Sequence, residues 1–259
     1  MKHKIIRAIA IFFIIGFSFN SCKKDIKIIN KSNYLDLSGC KVSRFYDEDG
    51  GQRYFYDSSG RISKVEHFGQ NNIDNTVIFS YESGKAYFSN PTGGEKAEYF
   101  LDSASKAIKS SLKHYGWPDT SQIVSTEITF YKYNSDGNLI EKKIDFKWEG
   151  DTIIDSKTYT YLWNNGNMIK ETFRNNIGTS IKNYDYYLDK SNPWIATLSD
   201  LQFTGVQSKN LLKTIIYDET GFVFARYTYQ FSTDGKPIKI IYDFDDGNYS
   251  AMNLEITCP

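Results

Sequence analysis

Three cysteines carry the most specific chemistry in this sequence of 259 residues. Cys22 follows the basic stretch Met1-Lys2-His3-Lys4-Ile5-Ile6-Arg7, an apolar run from Ala8 to Phe19, and the small residue Ser21. That order reads as a signal peptide ending at a cysteine, whose thiol is expected to be acylated and which would then become the new amino terminus. The run is too short to cross a hydrocarbon core of about 30 Å comfortably as a helix. Two or three acyl chains hold a protein on a membrane where a single chain does not. The alternative is an ordinary secretory signal followed by a chance cysteine. With Cys22 acylated, Cys40 and Cys258 remain, one near each end of the folded region and in a compartment that permits disulfides. They are expected to pair; two separate buried thiols is the other reading.

Other chemistries leave weaker traces. A zinc hydrolase needs clustered ligands, yet beyond the signal peptide only His67 and His114 occur, far apart in sequence and without a second ligand at helical spacing. There is no G-x-S-x-G elbow and no phosphate-cradling G-x-x-x-x-G-K. The acidic turns Asp47-Glu48-Asp49-Gly50 and Asp243-Phe244-Asp245-Asp246-Gly247-Asn248 offer oxygen ligands but lack a distal glutamate at calcium-loop spacing. A glycosidase-like carboxylate pair has no sequence signature, because its separation is set by the fold. Trp117, Trp148, Trp163 and Trp194 are candidates for a platform on which sugar rings stack, against the plainer reading that they pack a sheet face. Neither a catalytic residue nor a metal or cofactor site is read here. Lysine plus arginine equals aspartate plus glutamate, 31 each, so no net field recommends nucleic acid as a partner.

The elements that would position these residues are strands. Tyr and Phe, 20 and 18 of them, suit a pleated half-buried surface, whereas long helices want Ala and Leu. Residues 22–38 read as a polar tether, and 39–259 as one domain built on a recurring pattern: an aromatic, Asp or Asn, two variable positions, Gly, a basic or amide residue, then an aliphatic. The best copies begin at Tyr56 and Tyr133, those at Tyr217 and Phe231 keep the frame, as does a shortened one at Trp163, and partial copies begin at Tyr46 and Tyr81. Asp or Asn starts a type I turn by bonding the amides ahead of it, and Gly takes the left-handed position that closes the loop, so each copy marks a hairpin tip. Flanking segments alternate with period two: Ile140, Lys142, Ile144, Phe146 and Trp148 point one way, Glu141, Lys143, Asp145 and Lys147 the other. Residues 100–109 keep the frame with Ser105 in place of Gly and are read as a further hairpin, although Ile108, Leu112 and Tyr115 also fall at helical spacing.

Tyr-Asp, a gap, Gly-Arg and an aliphatic resembles the YD repeats of Rhs-type proteins over a short stretch. The sequence around Cys22 resembles Bacteroidota lipoproteins, although Phe19 stands where Leu is usual. Tyr186-Tyr187-Leu188-Asp189-Lys190-Ser191-Asn192-Pro193-Trp194 and Ser208-Lys209-Asn210-Leu211-Leu212-Lys213 resemble a family of Bacteroidota lipoproteins catalogued as a domain of unknown function with a porin-like fold. That resemblance covers about the last third of the chain, and the rest only through the turn pattern. It implies an all-β antiparallel meander, curled into a closed or partly open barrel, and no activity; the charges of Glu141, Lys143, Asp145 and Lys147 on one strand, costly if they faced lipid, read better as a soluble barrel. Function is read as a non-catalytic cell-envelope lipoprotein on the outer membrane, presenting loops or an aromatic surface to a glycan, peptide or envelope partner. The rival classes are a small hydrolase with a carboxylate pair and a structural assembly subunit.

Overall fold

A computed structural model describes residues 40–258, apart from 71, 93, 117–121, 194–203, 205–206 and 245–247. Cys22 and the segments 1–21 and 22–38 lie outside the described residues. Among the described residues, sixteen strands follow one another: β1 (Lys41–Tyr46), β2 (Gly50–Tyr56), β3 (Ile62–Gly69), β4 (Ile73–Glu82), β5 (Lys85–Asn90), β6 (Glu95–Leu101), β7 (Ala107–Tyr115) and β8 (Ile123–Tyr133). The second half continues with β9 (Leu139–Trp148), β10 (Asp155–Asn164), β11 (Asn167–Arg174), β12 (Thr179–Ser191), β13 (Asn210–Tyr217), β14 (Val223–Phe231), β15 (Pro237–Phe244) and β16 (Tyr249–Thr257). Each pairs antiparallel with its neighbours in sequence, and β16 returns to pair with β1, closing a single barrel. Closure leaves no sheet edge open to another chain.

The glycine-marked motifs are hairpin tips, and the turns share one geometry. At Asp57 the carbonyl accepts from Gly60 N at 2.9 Å, while the carboxylate Oδ1 accepts from the amides of Ser59 and Arg61. Asp102 repeats this with Ser105, Ala104 and Lys106, and the bond from the fourth residue's amide recurs at Asn134 to Gly137 and Ser232 to Gly235. Ser105 holds φ of 61° and stands in the glycine slot, so residues 100–109 form the expected hairpin and Ala107–Tyr115 is a strand.

Most tips lie at one end of the barrel, the turn end, where a second device ties them together. On five even-numbered strands an aromatic toward the turn end donates to a backbone carbonyl at the start of the preceding strand. Tyr56 Oη reaches Val42 O at 2.7 Å, Tyr81 reaches Ile62 O at 2.6 Å, Tyr133 reaches Ala107 O at 2.7 Å, and Tyr186 reaches Met168 O at 2.6 Å. The Trp163 indole N–H does the same to Leu139 O at 2.7 Å. Arg61 and Lys106, at the basic position of their motifs, stack on the next aromatic, 4.0 Å from the Tyr81 ring centroid and 5.4 Å from that of Tyr133, and Lys41 at the start of β1 lies 4.9 Å from Tyr56 in the same way. Lys41 and Lys106 then donate to the carbonyls of Gly60 and Gly137. A Cβ at either glycine would fill the space that the ammonium occupies. Replacing Tyr133 by Phe should cost about 1–2 kcal/mol, because the Ala107 carbonyl loses its donor in a buried setting. Denaturant unfolding measures it, and a loss indistinguishable from zero would mean that the ladder is ornamental.

The motif's aliphatic residue fills the interior. Ile62, Ala107 and Leu139 are fully buried, and a core of Val42, Tyr54, Val65, Val77, Phe79, Tyr99, Tyr131, Ile240 and Leu254 continues around the wall. Side chains from β1 to β9, β15 and β16 meet in this cluster, so the interior there is packed. The tip bulge between Lys132 and Tyr133 alters the alternation expected on β9. Leu139, opposite Tyr133, turns inward, and Ile140 is displaced to the outside with 37% exposure.

Candidate functional site

Where the structure puts the residues singled out above is decided by barrel end and wall face. The sulfur atoms of Cys40 and Cys258 are bonded, joining the start of β1 to the end of β16. Trp148 closes β9 at the end opposite the turn end, 51% exposed and edge-on to Phe146 at 5.2 Å. Trp163 sits at the turn end, in the aromatic slot of the hydrogen-bond ladder. The two are at opposite ends because β9 and β10 form one hairpin, so they do not share a platform. Trp117 and Trp194 lie outside the described residues.

The interior carries a polar seam on β6 to β12. His114 lies 3.3 Å from Glu95 and 3.9 Å from Glu127. Glu171 lies 4.0 Å from Lys182, with the Tyr184 hydroxyl donating to it. Burial pushes the Glu171 carboxyl above its ordinary range, against the pull of Lys182, Tyr184 and Lys142. Buried phenols respond in the same way: Tyr56 and Tyr186 are each pushed up to about 12. Glu95, Glu127 and Glu171 have partners on their own part of the wall, as polar groups inside a barrel require, whereas Asp155 Oδ1 is buried without a hydrogen-bond partner among the described residues. Because the folded state holds the Glu171 proton more tightly than the unfolded chain, this group costs stability once pH rises above its unfolded value. Glu171→Gln should therefore stabilise the barrel at neutral pH by less than about 1 kcal/mol, with the gain vanishing in acid. Thermal melts across pH measure this; a gain that grows as pH falls would reverse the assignment.

No group of three or more His, Cys, Asp or Glu among the described residues is placed to hold a metal ion. Asp47 of the first acidic turn is spent locally, its Oδ1 accepting from the amides of Asp49 and Gly50 at 2.9 and 3.0 Å. Beside it a cavity of about 410 Å³ is lined by Phe45, Gln52, His67, Phe68, Asp74 and Met252, among others. Gln52 Nε2 and His67 Nδ1 meet there at 3.4 Å, and burial lowers the His67 pKa. A second cavity, about 360 Å³, lies among Ser180, Ile181, Tyr217, Glu219, Thr220 and Phe222. Both lie at the end opposite the turn end, here called the rim. Neither was legible in the sequence, because their walls come from strand ends and connections whose neighbours only the topology fixes.

The outer wall carries many charged side chains, interspersed with exposed apolar ones such as Ile78, Phe130 and Leu162. Cross-strand pairs cover it, including Lys85 with Glu98 and Lys132 with Glu141, each at 2.6 Å. Lys213 with Asp185 at 3.1 Å and Arg44 with Glu255 at 3.4 Å add to them, and Lys143 with Asp145 at 3.0 Å lies along β9. Among the described residues no helix is long and apolar enough to cross a membrane, which says nothing of membrane barrels.

Fold and wall together define an antiparallel porin-like barrel. The chain is similar to two solved porin-like proteins, one from Bacteroides uniformis ATCC 8492 and one from Bacteroides vulgatus ATCC 8482, each at 13% identity. The first matches with a TM-score of 0.55 over 84% of this chain and 96% of that one, the second with 0.56 over 83% and 98%. A TcdB2-TccC3 structure without its hypervariable C-terminal region aligns at 15% identity with a TM-score of 0.35, over 80% of this chain and 13% of that one. No family model and no curated protein matches the sequence.

Proposed function

We propose that this chain is a cell-envelope lipoprotein of the Bacteroidota porin-like kind, anchored through Cys22 at the outer membrane. Residues 22–38 form its tether, and the barrel stands in water as a non-catalytic binding or scaffold module for an envelope partner. The charged outer wall is the observation that carries this reading. A barrel that spans lipid needs an apolar outer band about 25 Å tall, and a lysine at the midplane costs about 2–4 kcal/mol. Lys85, Lys96, Lys113, Lys132, Lys143 and Lys213 all point outward from this wall. The motif around Cys22 supplies an attachment that the strands do not. Two solved barrels of this shape come from Bacteroides, which agrees with an envelope address. Fractionation tests the proposal: wild type should sediment with membranes, and Cys22→Ala should move to the soluble fraction. Retention of Cys22→Ala in the membrane, released only by detergent, would overturn it.

A further inference from the structure

The two ends of the barrel differ in charge. Among the described residues, the turn-end connections carry Asp57, Asp102, Asp136 and Asp234 against Arg61, Lys106, Lys209 and Lys236. The rim connections carry Asp47, Glu48, Asp49, Glu149, Asp151, Asp218 and Glu219, and no Lys, Arg or His. The same rim exposes large apolar side chains. Trp148, Ile153 and Ile154 sit around the β9–β10 connection, Ile177 between β11 and β12, and Phe222 between β13 and β14. Ile177 is 90% exposed, which no packing role within this chain explains. These three connections follow one another around the rim.

The cavity of about 360 Å³ opens in this arc. Its walls include two aromatic rings, Tyr217 and Phe222, with centroids 6.4 Å apart and planes 30° from parallel. Glu219 is the carboxylate of its lining, and among the described residues it has no ion-pair partner. Asp218 beside it is engaged by Lys170 at 3.6 Å and by Asn183 at 2.9 Å. A lysine or arginine side chain suits such a hole, since its methylene stem can lie along aromatic faces while its head meets a carboxylate. Arginine suits it better, because its planar head both stacks and bonds a carboxylate in two places.

We propose that the rim between β9 and β14 is a docking surface for a basic, apolar segment of a partner polypeptide, with one arginine or lysine side chain seated between Tyr217, Phe222 and Glu219. This deepens the binding-module reading above and rests on it. Charge complementarity selects the occupant. An anionic lipid surface or nucleic acid would meet an excess of carboxylates over the neighbouring cations Arg174, Lys170, held by Asp218, and Lys182, which lies 5.6 Å from the Tyr217 ring, and a second rim would present like charge. Cys40, where the tether joins the barrel, lies at the turn end, so the rim is the opposite face.

The test uses the lipidated full-length protein in phosphatidylcholine nanodiscs, with empty nanodiscs as blank. The probe is a fluorescein-labelled peptide of alternating arginine and leucine, compared with its glutamate-for-arginine counterpart. Anisotropy should show micromolar binding of the basic peptide alone, weakening as salt rises. Glu219→Lys and Phe222→Ser should each weaken it about tenfold or more, Glu219→Gln by less, and Asp136→Lys at the turn end not at all. Thermal melts confirm that the variants fold. Equal binding by the rim variants, equal binding of the acidic peptide, or no binding short of millimolar concentrations would each overturn the proposal. Association of the protein with itself through this rim, seen as a dimer lost in Phe222→Ser, would overturn it too. If Cys22→Ala is released from membranes while the peptide fails to bind, the docking surface alone is wrong.

Discussion

Reducing the Cys40–Cys258 bond should lower the stability of the barrel by about 5 kcal/mol, the chain-entropy value for closing a loop of this length. The two residues are 218 positions apart, so almost the whole folded chain lies between them. β1 and β16 are the last pair to close the ring and have no hairpin to hold them in register. The bond supplies that missing connection. Five kcal/mol in a domain of this size corresponds to a fall of roughly 10–20 °C in Tm. Melts of wild type with and without reductant, and of Cys40→Ser with Cys258→Ser, should agree. A fall of only a degree or two would mean that the seam is held by its ladder and side chains alone.

Leu139→Ala should cost about 3 kcal/mol, within the range for a buried leucine whose cavity cannot fully collapse. Leu139 has no exposed surface, packs in the main core, and accepts the Trp163 indole bond on its carbonyl. Ile140 beside it should tolerate alanine with a change under about 0.5 kcal/mol, because it is displaced to the outside by the tip bulge. Denaturant midpoints of both variants measure the difference. Equal losses would show that the register at this tip is wrong, and a larger loss for Ile140 would reverse the facing of β9.

Much of this architecture was written in short-range chemistry. A residue able to bond the amides ahead of it, followed by one tolerant of positive φ, specifies a tip, which is why Asp57-Gly60, Asn134-Gly137 and even Asp102-Ser105 were readable. Which end of the barrel a tip occupies was less plain. The copies at Tyr46 and Tyr217 lie at the rim, and neither follows its glycine with a basic or amide residue and then an aliphatic. That pair of positions builds the turn-end ladder, so the distinguishing signal was present but its physical use was not evident. Trp163 shows the same gap. Its place at the head of a shortened motif marks it as a ladder donor, whereas residue type alone pointed to a ligand platform.

Closure of β16 on β1 and the charge contrast between the ends depend on how sixteen strands are arranged, and no local pattern encodes that. Cys40 and Cys258 were the one long-range hint. The candidate rim cavity is made from β12 and the connection after β13, which only the pairing of Lys182 with Tyr217 brings together.

Sedimentation velocity of the chain lacking residues 1–22, in buffer without detergent, tests the central claim of a barrel whose outer wall faces water. A single compact monomer, stable over days, is predicted. Aggregates that resolve into one species only when detergent is added would show that the wall belongs in lipid.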